Sequence, residues 1–144
     1  MKTTKVLFLC TGNSARSQMA EAFLRKYAGD RFTAFSAGLN PSVINPYTYR
    51  VMEEMGLNLE GQWSKNVNYL GKATFDYVIT VCAHAEENCP AVFLGMGKHE
   101  HWNFDDPAAF EGDDENILSK FREVRDQIDT KIQVWITELN NHKQ

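Results

Sequence analysis

The chain has 144 residues, a formal net charge of −4 at pH 7 and 43% hydrophobic residues. This length and composition predict a single folded domain over residues 1–144 and exclude a disordered or fibrous protein. The acidic balance and the lack of a basic run argue against a nucleic-acid partner. No apolar stretch reaches the ~18 residues of a membrane span, so we expect a cytoplasmic protein without a membrane partner.

The first predicted element is a strand, Val6–Cys10, which ends in a cysteine. Its run of Val, Leu and Phe without polar alternation is typical of a strand that is buried on both faces of a parallel sheet. In open α/β sheets ligands bind beyond the carboxyl ends of the strands. Cys10 is therefore placed where chemistry is expected, and the residues after it have the spacing Cys-x5-Arg-Ser.

The loop after Cys10 has the composition of an oxyanion site. Gly12 lets the chain curl so that successive N–H groups point inward, and the helix that begins at Ser17 directs its positive end at the same place. Arg16 adds a planar set of donors, and all these features favour the nucleophilic thiolate of Cys10. The alternative is a buried cysteine that merely ends a strand. We predict an oxyanion-binding loop of seven residues: Thr11, Gly12, Asn13, Ser14, Ala15, Arg16 and Ser17.

The later elements alternate in a way that defines a fold class. Periodicity and capping signals predict a helix over 17–27, a strand over 33–38, a helix from Asn45 to Gly56, a strand over 76–82, a weaker strand over 99–104 and a final helix from Asp113 to Leu139. This order predicts an α/β domain with an open parallel sheet of about four strands and helices on both faces. The strand that ends in Cys82 should lie beside the first strand.

The other two cysteines are Cys82 and Cys89. A disulfide needs Cα atoms within about 7 Å of each other, so a helix between these residues would keep them apart, and pairing would require local unwinding. An odd number of cysteines in a reducing compartment favours reactive thiols over a structural disulfide framework. The alternative is that both are small buried apolar residues.

Four stretches, taken together, resemble the thioredoxin-coupled arsenate reductases, which share the low-molecular-weight protein tyrosine phosphatase fold. They are Cys10–Glu21, Ser36–Gly38, Val78–Pro90 and Glu100–Pro107. The resemblance covers nearly the whole chain in order. Its combination of an oxyanion loop, a cysteine pair and an Asp-Pro step is more specific than any one of these motifs.

The resemblance implies a relay of three thiols. Cys10 attacks arsenate while Asp106 protonates the leaving oxygen, with Asp105 as the lesser candidate for this acid. Cys82 then attacks Cys10 and releases arsenite, and Cys89 attacks Cys82 to leave a Cys82–Cys89 disulfide. Phosphate and sulfate are expected to compete with arsenate. The resemblance implies thioredoxin as electron donor, with no bound cofactor, and glutaredoxin with glutathione stays open.

One departure from these relatives lies behind the loop. Counterparts of Asn13, Glu21 and Ser36 join an aspartate there to bind potassium, and Lys65 stands at the position of that aspartate. We expect the Lys65 ammonium group to replace the cation and pair with Glu21, the alternative being a surface lysine. The chain also has four histidines that could serve as metal ligands: His84, His99, His101 and His142. Their spacing gives no metal-ligand grouping with the cysteines, so we predict that they are surface or strand residues and that no metal is bound.

Two other functions fit part of the pattern. Cys10, Arg16 and Asp106 would suffice for a phosphatase that acts on phosphotyrosine, although Ala108 and Ala109 follow Pro107 where such enzymes of this fold present aromatic side chains. A weak phosphatase side activity is compatible with the reductase. The second alternative is a non-enzymatic redox sensor whose Cys82–Cys89 disulfide alters a protein contact.

Overall fold

A computed structural model describes residues 2–90, 93 and 96–142, and the side chain of His142 lies outside this description. Four strands are present: β1 (Thr4–Cys10), β2 (Phe32–Gly38), β3 (Tyr77–Thr80) and β4 (Lys98–His101). The helices, numbered here in chain order, are α1 (Arg16–Ala28), α2 (Pro46–Glu53), α3 (Ala83–Glu87) and α4 (Asp114–His142). Short 3₁₀ turns cover Val67–Leu70 and Pro107–Ala109.

The sheet is four-stranded and parallel throughout, in the order β2-β1-β3-β4. In the central strand β1, residues 6–9 are fully buried, as the unbroken apolar run predicts. Cys10 pairs with Gly38 of β2, and Leu9 pairs with Thr80 of β3. The predicted fold class is confirmed, and so is the placement of the β3 end beside the end of β1.

Aromatic side chains pack against both faces of the sheet. Phe8 of β1 lies 5.8 Å from Trp102, between ring centroids, and Trp102 lies 5.6 Å from Trp135 of α4. On the opposite face Phe35 of β2 meets Phe75 at 5.3 Å. Because alternate residues of a strand point to opposite faces, these contacts place the core on both sides of β1. Within the described residues, no helix has the length and apolar character to cross a bilayer.

The helix boundaries follow local signals. The side chain of Asn45 accepts a hydrogen bond from the Tyr47 N–H, and Pro46 occupies the first position of α2, as the capping pattern predicts. Helix α4 buries the apolar stripe that the sequence predicts, including Phe121, Val124, Ile128, Ile132 and Trp135. It begins and ends within three residues of the predicted bounds.

The strands β3 and β4 are shorter than the sequence predicts. β4 covers Lys98–His101 instead of 99–104, and β3 covers Tyr77–Thr80 instead of 76–82. Trp102 and Phe104 alternate as strand residues do and are buried, yet they belong to the loop that leads towards Pro107. The apolar alternation therefore reports burial correctly but overestimates the length of the strand.

Candidate active site

The thiol of Cys10 lies at the carboxyl end of β1 and is 3% exposed. Residues 11–15 connect it to α1, which begins at Arg16. Gly38 permits the close packing of this loop against β2, because a Cβ atom at that position would lie 2.5 Å from the carbonyl oxygen of Thr11. The Ser36-Ala37-Gly38 stretch therefore supports the loop from the neighbouring strand.

The backbone of the loop turns at Asn13, whereas the sequence pattern predicts the special conformation at Gly12. Asn13 has φ 49° and is the one non-glycine residue with positive φ in the described part of the chain. Its buried side chain stabilises this strained conformation from both ends. The Asn13 Oδ1 accepts from the Lys65 N–H at 2.9 Å, and its Nδ2 donates to Ser17 Oγ at 2.8 Å.

Ser17 and the loop backbone both contact the Cys10 sulfur. Ser17 Oγ is 2.8 Å from Cys10 Sγ, and the Asn13 N–H donates to the sulfur at 3.1 Å. Since Ser17 Oγ already accepts from the Asn13 amide, its own hydrogen is free to be donated to the sulfur. The hydroxyl therefore stabilises the thiolate of Cys10.

Burial works against ionisation of this thiol. Desolvation raises the pKa of Cys10 above its ordinary value, and the nearby Cys82 raises it further, while the Ser17 hydrogen bonds and the charge of Arg16 lower it in part. The expectation that the surroundings of Cys10 only favour the thiolate is therefore corrected. Ser17 and Arg16 offset a desolvation cost that the sequence pattern does not reveal.

A cavity of about 160 Å³ opens in front of the thiol. It is lined by Cys10, Thr11, Gly12, Ser14, Ala15, Arg16, Asp106 and Ala108. Pockets that enclose drug-sized ligands measure roughly 300–1,000 Å³, so this cavity suits a small anion better than a bulky one. Most of the predicted oxyanion loop lines it, whereas Asn13 and Ser17 are fully buried and support the loop from behind.

Asp106 is the aspartate that faces this cavity. Its Oδ2 lies 3.8 Å from Arg16 Nη2, and its Oδ1 accepts from the Ala108 N–H at 3.0 Å. Asp105 instead forms an ion pair with Lys120 of α4 at 3.1 Å. The side chain of Asp106 is 45% exposed, so it can exchange a proton with water. This geometry favours Asp106 over Asp105 as the acid.

Cys82 lies beside the first residue of the loop. It caps α3, with its sulfur accepting from the Ala85 N–H at 3.4 Å, and Thr11 Oγ1 lies 3.5 Å from the same sulfur. Cys82 is 3% exposed, and all three cysteines carry free thiols. The structure thus brings Cys82 to the oxyanion loop, as the adjacent strand ends predict.

Cys89 follows the end of α3 and is 9% exposed. Burial raises the pKa of its thiol, and the charge of Glu86 raises it further. A helical rise of 1.5 Å per residue over the seven steps from Cys82 corresponds to about 10 Å, beyond the reach of a disulfide. Since residues 83–87 are helical, pairing of the two thiols requires α3 to unwind.

The ion pair behind the loop differs from the one that we expected between Lys65 and Glu21. Glu21 accepts from Ser36 Oγ at 2.5 Å, but its ion pair is with Arg25 at 2.6 Å and not with Lys65. The Lys65 ammonium group donates to the carbonyl oxygen of Trp63 at 3.0 Å; desolvation lowers its pKa, and the charge of Glu21 raises it in part. Glu21 therefore acts on Lys65 electrostatically, but the expected direct ion pair between them is wrong. The four-residue spacing of Glu21 and Arg25 on a helix is a signal that could have revealed their pairing.

In the part of the chain that the structure describes, no group of three or more His, Cys, Asp or Glu side chains is arranged to hold a metal ion. The histidines on β4 take part in hydrogen bonds instead. His99 Nε2 lies 2.5 Å from Glu86, and His101 Nδ1 lies 2.9 Å from Thr80 Oγ1. His84 is exposed as expected, but its ring contacts Thr11, a contact between distant segments that the sequence pattern does not indicate.

A cysteine at a strand end, an anion-binding loop, an arginine and an aspartate together define a class of enzyme. Residues 5–144 match the family described as low molecular weight phosphotyrosine protein phosphatase, and the chain belongs to this family. It is 41% identical over 135 residues to an arsenate reductase of Halalkalibacterium halodurans, a match that covers 94% of this chain and 96% of that protein.

Two further comparisons place the chain within the family. It is 38% identical over 132 residues to an arsenate reductase of Bacillus subtilis, which covers 92% of this chain and 94% of that protein. A solved structure described as an arsenate reductase in the phosphate binding state superposes with a TM-score of 0.80 at 30% identity, covering 94% of this chain and 98% of the other. These two relatives and this solved structure are all described as arsenate reductases.

Proposed function

We propose that this protein reduces arsenate to arsenite and that Cys10, Cys82 and Cys89 carry the electrons. The observation that supports this most strongly is the position of Cys82 beside Thr11, the first residue of the oxyanion loop. A phosphatase needs only the first of these thiols. A second thiol beside the oxyanion loop has a use when the first thiol forms an adduct with arsenic that must then be reduced.

The first step is nucleophilic attack on arsenate. The anion binds in the cavity, where loop N–H groups and the Arg16 guanidinium contact its oxygens. The Cys10 thiolate forms a bond to arsenic and an As–O bond breaks, while Asp106 gives its proton to the departing oxygen. The product is a Cys10 thiol-arsenate adduct in which arsenic is still pentavalent.

The second step transfers the electrons. The Cys82 thiolate attacks the Cys10 sulfur, the S–As bond breaks, and arsenic leaves with the electron pair as trivalent arsenite. Two thiols are thereby oxidised to a Cys10–Cys82 disulfide. Cys89 then attacks Cys82 and releases the Cys10 thiolate, which leaves a Cys82–Cys89 disulfide on a segment that has unwound.

A dithiol donor must then restore the two reduced cysteines. We assign this role to thioredoxin, because a disulfide on an unwound surface segment is accessible to a protein thiol, and no bound cofactor is required. Glutaredoxin with glutathione would meet the same chemical need. Three free thiols suit a reducing compartment, so we place the protein in the cytoplasm.

A weak phosphatase activity is a second function that the site supports. Phosphate and arsenate share shape and charge, so a phosphate ester that reached Cys10 would meet the same loop, arginine and acid, and free phosphate or sulfate would compete for the loop. The small cavity and the short Ala108 side chain in its lining provide no aromatic surface to hold a phosphotyrosine ring. Aryl phosphates should therefore be poor substrates.

The test is arsenate-dependent NADPH oxidation with thioredoxin and thioredoxin reductase. Multiple turnover is expected for the unmodified protein and should be lost in each of Cys10→Ser, Cys82→Ser and Cys89→Ser. Replacing thioredoxin and its reductase by glutaredoxin, glutathione and glutathione reductase identifies the donor. Aryl phosphate hydrolysis that needs Cys10 alone, without arsenate turnover, would establish the phosphatase instead. Oxidant-driven Cys82–Cys89 pairing without any turnover would establish the redox sensor.

A further inference from the structure

The ring of His84 lies at the end of a hydrogen-bonded path from the Cys82 sulfur. Thr11 Oγ1 is 3.5 Å from Cys82 Sγ and 2.9 Å from His84 Nδ1. A hydroxyl group accepts one hydrogen bond while it donates another, so Thr11 can join the thiol to the imidazole. Cys82 and His84 do not line the anion cavity, so the path leads away from it through Thr11.

The fold explains why these three side chains meet. Thr11 directly follows β1, and Cys82 and His84 lie at the start of α3, just after β3. Because β1 and β3 are neighbouring parallel strands, their carboxyl ends lie side by side. The sulfur is buried whereas the imidazole is exposed, so the path connects a buried nucleophile with a base that can exchange protons with water.

We propose that Thr11 and His84 form a proton relay that converts Cys82 into its thiolate. The Cys82 S–H proton passes to Thr11 Oγ1 as the Thr11 hydroxyl proton passes to His84 Nδ1. The relay uses the tautomer in which Nδ1 is the acceptor and Nε2 carries the hydrogen. The imidazole becomes an imidazolium ion, and the sulfur keeps the electron pair that it uses to attack Cys10. This inference rests on the proposed function. Because it acts through Thr11, His84 is a positioning residue.

The charges around this path are compatible with the relay. Helix α3 carries two carboxylates: Glu86 is engaged by His99 of β4, and Glu87, three residues after His84, is exposed to solvent. Among the described residues, no carboxylate lies within 4.0 Å of the His84 ring nitrogens to compete with Thr11. At the end of β1, the titratable group that faces Cys82 is Cys10. An imidazolium ion beside the path therefore acts chiefly on the Cys82 thiolate, which it stabilises.

The test is a pH titration of Cys82 in a variant that carries Cys10→Ser and Cys89→Ser, followed by the ultraviolet absorbance of the thiolate. His84→Asn keeps an acceptor for Thr11 but cannot take up a proton, so the thiolate fraction at neutral pH should fall about tenfold. The matched control is His101→Asn. It removes a histidine whose Nδ1 also lies 2.9 Å from a threonine hydroxyl, that of Thr80, and should leave the titration unchanged.

Thr11→Val provides a second variant that interrupts the path. It should lower the thiolate fraction as His84→Asn does, and Thr11→Ser should restore it. A titration that is the same with and without His84, or with valine at position 11, overturns the relay. The titration requires no arsenate, so this failure leaves the reductase intact, whereas arsenate turnover that persists in Cys82→Ser would refute the proposed function itself.

Discussion

Removal of the Ser17 hydroxyl should make Cys10 a weaker nucleophile at neutral pH. The hydroxyl lies 2.8 Å from the Cys10 sulfur in a fully buried position and offsets part of the burial that raises the pKa of the thiol. A hydrogen bond to a charged group is worth about 1.5–3 kcal/mol, and about 1.4 kcal/mol corresponds to one pH unit. Ser17→Ala should therefore raise the pKa of Cys10 by about one to two pH units.

The assay is the rate of iodoacetamide alkylation of Cys10 as a function of pH, in a background of Cys82→Ser and Cys89→Ser. At neutral pH the rate in Ser17→Ala should be roughly 10- to 100-fold lower. Above the raised pKa the rate should recover, because a more basic thiolate is intrinsically at least as nucleophilic. The recovery separates a shifted pKa from a damaged loop.

The matched control is Ser17→Thr, which keeps a hydroxyl at the same position. It should restore most of the rate at neutral pH. Ser17→Ala also removes the acceptor of the Asn13 amide, so its free energy of unfolding should fall by about 1–3 kcal/mol. Alkylation profiles that coincide for alanine and serine at position 17 would refute the claim that this hydroxyl supports the thiolate.

Two further predictions concern carboxylates at the site and in the scaffold. Asp106→Asn should slow arsenate-dependent turnover roughly 100-fold or more through loss of the general acid, whereas Asp105→Asn, which breaks a surface ion pair, should have little effect. Glu54 has a pKa of about 2, chiefly because Arg122 of α4 donates to it. Since this carboxylate is 38% exposed, its screened contribution to the free energy of unfolding is about 1 kcal/mol. Glu54→Gln should remove that contribution at pH 7, and the exposed Glu53→Gln is the control.

The outcomes that contradict these two predictions are distinct. Equal turnover of the two aspartate variants would remove Asp106 from the mechanism. A carboxylate whose pKa is lowered by folding makes its full contribution to the free energy of unfolding above its ordinary pKa of 4.5. This contribution is lost as the pH falls through about 2. Denaturant unfolding should therefore show the difference between Glu54→Gln and the unmodified protein disappearing towards pH 2. A difference that persists there would rule out the ion pair as its cause.

Much of the fold is predictable because its signals are local. The apolar run of β1, the capping pair Asn45-Pro46 and the apolar stripe of α4 each depend on neighbours in the chain, and each prediction is confirmed. Trp102 marks the limit of this reasoning. Its alternation with Phe104 indicates burial, but the length of β4 depends on pairing with a neighbouring strand, which is a tertiary property.

The site was predictable where a strand end or a loop motif positions a residue. Cys82 lies beside the loop as the strand order predicts. Arg16 of the loop motif and Asp106, which the resemblance implied, line the same cavity as Cys10. The features of the site that the sequence did not predict are those that depend on burial or on contacts between distant segments. The raised pKa of Cys10 comes from desolvation, and the contact between Thr11 and His84 joins residues 73 positions apart.

The most direct test of the three-thiol relay is a single turnover with the Cys89→Ser variant. The pre-reduced variant is mixed with arsenate without thioredoxin, its free thiols are blocked with an alkylating agent, and its disulfides are mapped by mass spectrometry. The account predicts a Cys10–Cys82 disulfide, absent when arsenate is omitted, together with a stoichiometric amount of arsenite. Arsenite without this disulfide, or no arsenite at all, would contradict it.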